Sequence, residues 1–155
     1  MERKLLGRLR KEGKVVLDTS FLLPYVGLRV KEIPDNVVEL LKEVELYYPY
    51  AMISELIGVI FKVARKMGLR SIPELALRGF NSIVYGGVIN LIYPVDRDIS
   101  IAYELIRSGL SDLFDAILYA TSKRTCIKAL TTDEALVDFL RARGFSVDNL
   151  ILITQ

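Results

Sequence analysis

Four acidic residues stand where a parallel α/β sheet would place its ligands. Asp18 ends the short apolar run Val15–Leu17, Glu55 lies in the first turn of a helical pattern, Asp115 begins another, and Asp133 follows an apolar run through two threonines. Ligands of open parallel sheets bind beyond the carboxyl ends of the strands. These four carboxylates are therefore the first candidates for a functional site.

Each of these acids also has an ordinary explanation, because Asp near a helix start is a common capping residue and interacts favourably with the helix dipole. Asp112 and Asp115 have a spacing that a capping arrangement alone would explain. However, Asp115 lies within the apolar segment 113–120, where an unpaired carboxylate is costly to bury. On a helical wheel Asp112, Asp115, Tyr119 and Ser122 form one narrow polar stripe, so something is expected to compensate Asp115.

The available residue types restrict the chemistry of such a site. The chain has no histidine, which excludes Ser-His-Asp triads and His-based zinc sites, and its single cysteine, Cys126, is predicted to be a buried structural thiol without a role. Clustered carboxylates raise one another's pKa unless a cation is present. A hard ion such as Mg²⁺ or Mn²⁺ suits this donor set. The pattern is typical of metal-assisted phosphodiester hydrolysis.

The elements that position these acids alternate between strands and helices. This alternation predicts one α/β domain over residues 1–155, a three-layer sandwich in which a central parallel sheet is covered by helices on both faces. The predicted strands are 15–17, 46–51, 88–93, 127–130 and 150–153, and the predicted helices are 20–27, 34–44, 53–67, 73–85, 98–108, 112–124 and 133–143.

Composition agrees with a packed domain. Of 155 residues, 52% are apolar and 26% charged, which excludes a disordered chain. Apolar runs are much shorter than the roughly 20 residues of a membrane span, and the N-terminus lacks the apolar core of a signal peptide. The sequence therefore predicts a cytoplasmic protein without a membrane segment.

Positive charge is concentrated at the N-terminus, where residues 1–14 carry a net +4 and the remainder a net −2. Leucines at helical spacing predict a basic helical arm over residues 1–13. Three interpretations stay open: a solvated amphipathic helix docked through its leucines, an RNA contact, or a partner contact.

Lys62 and Lys66 fall within about 20° of Glu55 on a helical wheel at ~100° per residue. They extend the candidate site along one helical face, where they would hold an RNA backbone. An ordinary solvated face explains them equally well.

Four segments resemble, in order and at compatible spacing, the acidic motifs of the PIN-domain family. They are Val15–Leu23, Tyr48–Leu56, Leu110–Ala116 followed by Tyr119 and Ala120, and Ala129–Asp133. The resemblance covers about residues 14–154. The basic arm departs from the shortest members, which begin almost at the first strand.

The resemblance implies a parallel sheet of order 3-2-1-4-5, a divalent-metal site and endoribonuclease activity, widespread among toxins of VapBC-type toxin–antitoxin pairs. By position it implies the following roles. Asp18, Glu55 and Asp115 match the acidic triad, Asp133 the fourth acid, Asp112 an additional metal-binding acid, and Ser20 and Thr132 supporting hydroxyl residues.

The leading hypothesis is therefore a VapC-like ribonuclease that uses Mg²⁺ or Mn²⁺, acts on RNA, forms a homodimer and binds a small antitoxin protein. The alternative is a non-catalytic PIN-like scaffold that binds RNA or protein during RNA processing. An aspartyl phosphatase is disfavoured, because its second Asp is replaced by Ser20.

Overall fold

A computed structural model describes residues 2–33 and 37–153 and contains one five-stranded sheet. All of its strand pairs are parallel, and the order β3-β2-β1-β4-β5 is the predicted one. The strands are β1 (Lys14–Leu17), β2 (Glu45–Pro49), β3 (Ile89–Ile92), β4 (Ala129–Thr131) and β5 (Leu150–Leu152).

The central strand β1 consists of residues suited to burial on both faces. Val15, Val16 and Leu17 are completely buried, and β1 pairs with β2 on one side and with β4 on the other. A parallel strand covered by helices on both faces has this continuous β-branched and aliphatic pattern. Because the strands are parallel, their carboxyl ends share one side of the sheet, here called the carboxyl edge.

Helices connect the strands, and their bounds follow the predicted periodicity closely. No helix in the described part of the chain is long and apolar enough to cross a membrane. The helices are α1 (Glu2–Glu12), α2 (Val37–Leu41), α3 (Ile53–Lys66), α4 (Glu74–Tyr85), α5 (Asp96–Arg107), α6 (Leu113–Thr125) and α7 (Glu134–Ala142).

The ends and types of some elements differ from the sequence-based expectations, and one expected helix start cannot be compared. The segment after β1 forms a 3₁₀ helix, Thr19–Val26, which contains Pro24 and ends at Gly27 in the left-handed conformation. The predicted start of the next helix at Pro34 lies outside the described residues. The strand predicted at 127–130 is shifted to Ala129–Thr131 because the preceding helix continues to Thr125.

Cys126 is exposed, so the prediction of a buried thiol was wrong. Its backbone has a φ of 56°, the left-handed conformation with which α6 ends. The chain reverses direction at this residue, and the side chain stays at the surface although apolar residues follow it.

A glycine allows α4 to pack directly on the 3₁₀ helix. A Cβ atom placed on Gly79 would lie 2.0 Å from the backbone oxygen of Tyr25, which is far inside van der Waals contact. Only glycine therefore permits this approach, and the contact fixes the position of the 3₁₀ helix that begins immediately after Asp18.

The N-terminal helix α1 docks on the domain through leucines, as one interpretation of the arm expected. Leu5 and Leu9, one helical turn apart, are buried in the core. Two ion pairs fasten the end of the helix, Arg10 to Glu43 at 3.2 Å and Glu12 to Lys128 at 2.8 Å. The arm is thus part of the packed structure.

Docking leaves one face of α1 charged and exposed. Lys4, Arg8 and Lys11 occupy positions i, i+4 and i+7 and are all exposed. We call these three residues the arm stripe. Because neighbours at this spacing share a helical face, the stripe presents three positive charges to solvent.

A buried ion pair joins α5 to α6. The side chain of Asp98 is 4% exposed, accepts a hydrogen bond from the Val95 backbone N–H at 3.0 Å, and pairs with Arg124 Nε at 2.6 Å. The pair connects the first turn of α5 to the last turn of α6, the helix that carries Asp115.

Candidate active site

Asp18 follows β1 at the carboxyl edge, next to the centre of the sheet. Its side chain does not cap the 3₁₀ helix that follows. Instead, Ser20 Oγ and Thr131 Oγ1 both donate to Asp18 Oδ2 at 3.4 Å. Burial raises the pKa of Asp18 from 3.8 to about 6, and the negative charge of Asp133 adds to this effect although the hydrogen bonds oppose it.

Glu55 reaches the same edge from the first turn of α3. Its carboxyl group contacts the Thr19 hydroxyl, which lies 2.8 Å from Tyr48 Oη. Tyr48 is completely buried and donates its own proton to the Met52 backbone oxygen at 2.7 Å. The sequence-based analysis did not identify the Thr19–Tyr48 pair.

The Thr19 hydroxyl connects Glu55 to Tyr48. It donates its proton to the Glu55 carboxyl group, while Tyr48 uses its own hydroxyl proton on Met52. Burial raises the pKa of Glu55 to about 7, and repulsion from Asp18 and Asp112 adds to this effect although the hydrogen bond from Thr19 opposes it. Burial thus disfavours the charged form of Glu55.

Asp115 lies in the first turn of α6, half-buried as its apolar surroundings predicted. Burial raises its pKa from 3.8 to about 7, with further contributions from the charges of Asp112, Asp133, Asp18 and Glu55. These mutual effects show that the five carboxyl groups share one electrostatic environment. We call them the acidic site.

Below Asp115, the polar stripe of α6 is used for structure. Tyr119 Oη donates to the Ser146 backbone oxygen at 2.8 Å, and Ser122 Oγ lies 2.7 Å from the Ile127 oxygen and 2.8 Å from the Asn149 oxygen. Tyr119 and Ser122 thus donate to backbone carbonyls, so these two residues of the stripe have a structural role.

The capping interpretation applies to Asp112 and Asp133. Asp112 accepts hydrogen bonds from the backbone N–H groups of Phe114, at 2.7 Å, and Asp115, at 3.2 Å. Asp133 accepts one from the Leu136 N–H at 2.9 Å. Each cap occupies one carboxylate oxygen, so both residues combine a structural role with a charge that raises the pKa of Asp115.

Thr131 links β4 to two of the acids. Its hydroxyl donates to Asp18 and accepts from the Asp133 backbone N–H at 3.1 Å. Thr131 is completely buried, whereas Thr132, the residue proposed from the sequence as a support, is half-buried beside it. Because side chains alternate along an extended chain, the hydroxyl that reaches Asp18 comes from Thr131.

The donor set and charge of the acidic site fit a hard divalent cation. Every charged group that shifts the pKa of Asp18, Glu55 or Asp115 is another carboxylate. Within residues 2–33 and 37–153, no three carboxylates are already gathered as ligands of one ion. Glu55 is turned towards Thr19, and two other acids cap helices. The site thus has uncompensated negative charge and oxygen donors without a preformed ligand shell.

The two lysines proposed as RNA contacts, Lys62 and Lys66, lie on α3 and are exposed. They share the helix of Glu55 and lie about two and three turns further along it. The structure leaves both interpretations open, an RNA contact and a solvated face.

A family model described as PIN domain matches residues 15–142, the range that contains the whole acidic site. The chain belongs to the PIN domain family. PIN domains are typically nucleases, and these nucleases generally use divalent metal ions. Residues 1–14, which include the whole arm, lie outside the match. The chain matches no curated protein by sequence.

A similar solved structure supports the PIN fold over nearly the whole chain. It is described as a toxin-antitoxin complex from Klebsiella pneumoniae, with a TM-score of 0.59 and 14% sequence identity, and the alignment covers 91% of this chain and 98% of that chain. At this identity the likeness shows a shared fold.

Proposed function

We propose that this PIN domain is a divalent-metal-dependent endoribonuclease and the toxin of a toxin–antitoxin pair. One observation carries the nuclease proposal. Three half-buried carboxyl groups, Asp18, Glu55 and Asp115, have raised pKa values, and every charged group of the described residues that shifts these pKa values is another acid. Burial of these carboxyl groups near one another costs free energy, and a bound cation would offset that cost.

The proposed roles of the residues follow from their positions. A bound Mg²⁺ or Mn²⁺ would act as a Lewis acid that activates water and stabilises the leaving oxygen of the phosphodiester. Asp18, Glu55 and Asp115 would hold the ion, with Asp112 and Asp133 completing the negative charge. Ser20 and Thr131 orient Asp18 through its Oδ2 atom. A water molecule would attack the phosphorus and the P–O3′ bond would break, so the products would carry a 3′ hydroxyl and a 5′ phosphate, and no covalent intermediate would form.

Asp115→Asn tests the nuclease. Its side chain has the same size, so we expect an intact fold and loss of Mn²⁺-dependent cleavage of single-stranded RNA, measured on gels with purified protein. Asp138→Asn, an exposed residue of α7, is the control for loss of one charge and should cleave normally. If Asp115→Asn keeps more than about a tenth of the wild-type rate, or loses less than ~1.4 kcal/mol of barrier stabilisation, Asp115 is not part of the mechanism.

The scaffold alternative predicts a different result in the same assay. A non-catalytic PIN domain would bind RNA or protein without cleaving, and Asp115→Asn would then change nothing that the gels record. Cleavage by wild type that depends on added metal excludes this alternative.

The proposal of an antitoxin partner rests on an exposed apolar groove between α3 and α4. Phe61 is 54% exposed and Leu77 is 50% exposed across a cavity of about 210 Å³. Exposed apolar surfaces of this kind mark interaction sites, and the similar solved structure is a toxin-antitoxin complex. We propose that an apolar segment of a small antitoxin covers the groove. The groove lining is Ile57, Ile60, Phe61, Ile72, Ala76, Leu77 and Phe80.

Co-expression of the chain with a small protein encoded beside it tests the proposed antitoxin partner. The wild-type chain should arrest growth, and a small protein encoded beside it should relieve the arrest and co-purify with it. Phe61→Asp should prevent the relief, whereas Ser82→Asp, which adds the same charge to an exposed position of α4, should not. Relief that survives Phe61→Asp would contradict the groove, and absence of any adjacent inhibitor would contradict the toxin. The mass of the free chain in solution tests the expected homodimer.

A further inference from the structure

Two tyrosines stack on each other at the carboxyl edge outside the acidic site. Tyr50 and Tyr93 directly follow β2 and β3, whose last paired residues are Pro49 and Ile92. Their ring centroids are 4.6 Å apart with an angle of 25° between the planes. Tyr50 is 44% exposed and Tyr93 is 63% exposed, and neither belongs to the described core. The pair is thus a stack of two aromatic rings that is partly open to solvent.

The position of this pair is set by the elements that carry the catalytic candidates. Tyr50 begins a short 3₁₀ turn, Tyr50–Met52, which contacts both α3 and α6, the helices of Glu55 and Asp115. Glu55 lies five positions after Tyr50 in the chain. The backbone rises about 9 Å between them, at roughly 2.0 Å per residue in the 3₁₀ turn and 1.5 Å per residue in α3. This distance corresponds to about two or three nucleotide steps at the roughly 3.4 Å rise of stacked bases.

The chemistry of the edge favours a nucleobase as the ligand. Without a bound metal the carboxylates of the acidic site repel a phosphate backbone, so contacts that do not depend on charge would help to hold an RNA strand at this edge. Exposed aromatic rings supply them by stacking on bases, and such stacking tolerates any base because each has a π face. Single-stranded RNA in particular presents unstacked bases to aromatic side chains.

We infer that the Tyr50–Tyr93 pair is a stacking platform for an unpaired base of the RNA substrate, next to the bond that the acidic site cleaves. The inference rests on the proposed nuclease function and adds a residue pair that positions the substrate. The base stacks on the outer face of the Tyr93 ring, the more exposed of the two, while stacking on Tyr50 keeps that ring in place before the RNA arrives.

Oligoribonucleotide binding in chelator, where no cleavage occurs, tests the platform by fluorescence anisotropy. Tyr93→Leu keeps apolar bulk and removes the ring, so binding should weaken at least about fivefold, or about 1 kcal/mol. Tyr93→Phe keeps the ring and should bind as wild type. Tyr103→Leu, which removes a tyrosine that is 66% exposed on α5, is the matched control and should also bind normally.

Two further readouts separate stacking from a structural role. The slope of log affinity against log salt should be unchanged in Tyr93→Leu, because stacking releases no counterions. Replacing successive bases by abasic sites should reveal one position that weakens wild-type binding and has no effect on Tyr93→Leu. Tyr93→Leu that binds like wild type, or abasic effects equal in both proteins, would overturn the platform. If wild type neither binds nor cleaves any RNA, the proposed function itself fails, whereas cleavage with unaffected Tyr93→Leu refutes the platform alone.

Discussion

Replacing Asp18 by Asn should stabilise the metal-free protein in a pH-dependent manner. The pKa of Asp18 rises from 3.8 to about 6 on folding, mainly because the carboxyl group is buried. A carboxyl group with a raised folded pKa contributes stability that is present below its unfolded pKa and lost as pH rises through the folded value. The wild type should therefore lose stability between about pH 4 and pH 6 in chelator.

The magnitude follows from the shift. About two pKa units correspond to roughly 3 kcal/mol at a pH above both values. Asn keeps the shape of Asp18 and can still accept from the hydroxyls of Ser20 and Thr131. Asp18→Asn should thus be more stable than wild type by up to ~3 kcal/mol at pH 8, or roughly 6–12 °C in Tm for a domain of this size, and equal to it at pH 4.

Melting curves of wild type, Asp18→Asn and Asp138→Asn in chelator at pH 4, 6 and 8 measure this effect. Asp138 is exposed on α7, so its replacement should change little at any pH. Adding Mn²⁺ at a hundredfold excess over its dissociation constant should stabilise wild type by about 2.7 kcal/mol, and Asp18→Asn should lose most of this gain. The reasoning is refuted if Asp18→Asn melts below wild type at pH 8 in chelator and keeps the full metal response.

Three other predictions address packing and charge. Gly79→Ala should destabilise the fold by about 1–3 kcal/mol because its Cβ would clash with the Tyr25 oxygen. Gly58→Ala, in open space on α3, should stabilise the fold by up to ~1 kcal/mol. Urea unfolding measures both changes in unfolding free energy, and changes of the same sign would contradict the packing. Arg124→Met should lower the unfolding free energy by about 3–5 kcal/mol because it leaves Asp98 buried without its partner. Arg78→Met, in an exposed pair, should lower it by under ~1 kcal/mol. Similar losses in both variants would show that burial of the ion pair does not matter. Replacing the arm stripe by glutamines should lower the slope of log RNA affinity against log salt by about 2, and an unchanged slope would assign the stripe to packing or to a protein partner.

The sequence alone predicted the architecture because that information is local. Apolar runs such as Val15–Leu17 mark buried parallel strands, and the 3.6-residue period of α3 fixes its buried face. Residues that end such strands must lie at one edge of the sheet, which predicted the position of Asp18. Glu55 and Asp115 lie in the first turns of helices, and the grouping of the three acids stays a prediction. Their raised pKa values agree with that grouping.

Tertiary structure decided the contacts between side chains that are distant in sequence. The hydroxyl chain from Glu55 through Thr19 to Tyr48 joins three elements, and nothing in the local pattern of any one predicts which oxygen faces which. Thr131, and not Thr132, pairs with Asp18, and this depends on which of the two side chains is directed towards Asp18 at the end of β4. Sequence periodicity predicts the face of a helix or strand on which a side chain lies. The residue that it contacts there depends on how neighbouring elements are aligned in the folded structure.

Surface exposure was likewise decided by the fold. Cys126 stands before an apolar run but is exposed, because the helix ends there in a left-handed conformation. Tyr50 and Tyr93 are 43 positions apart and were assigned to two strands without any relation to each other. The parallel register of β2 and β3 brings their rings into contact. The sequence determined which residues reach the carboxyl edge, and the packing of strands and helices determined which of them meet there.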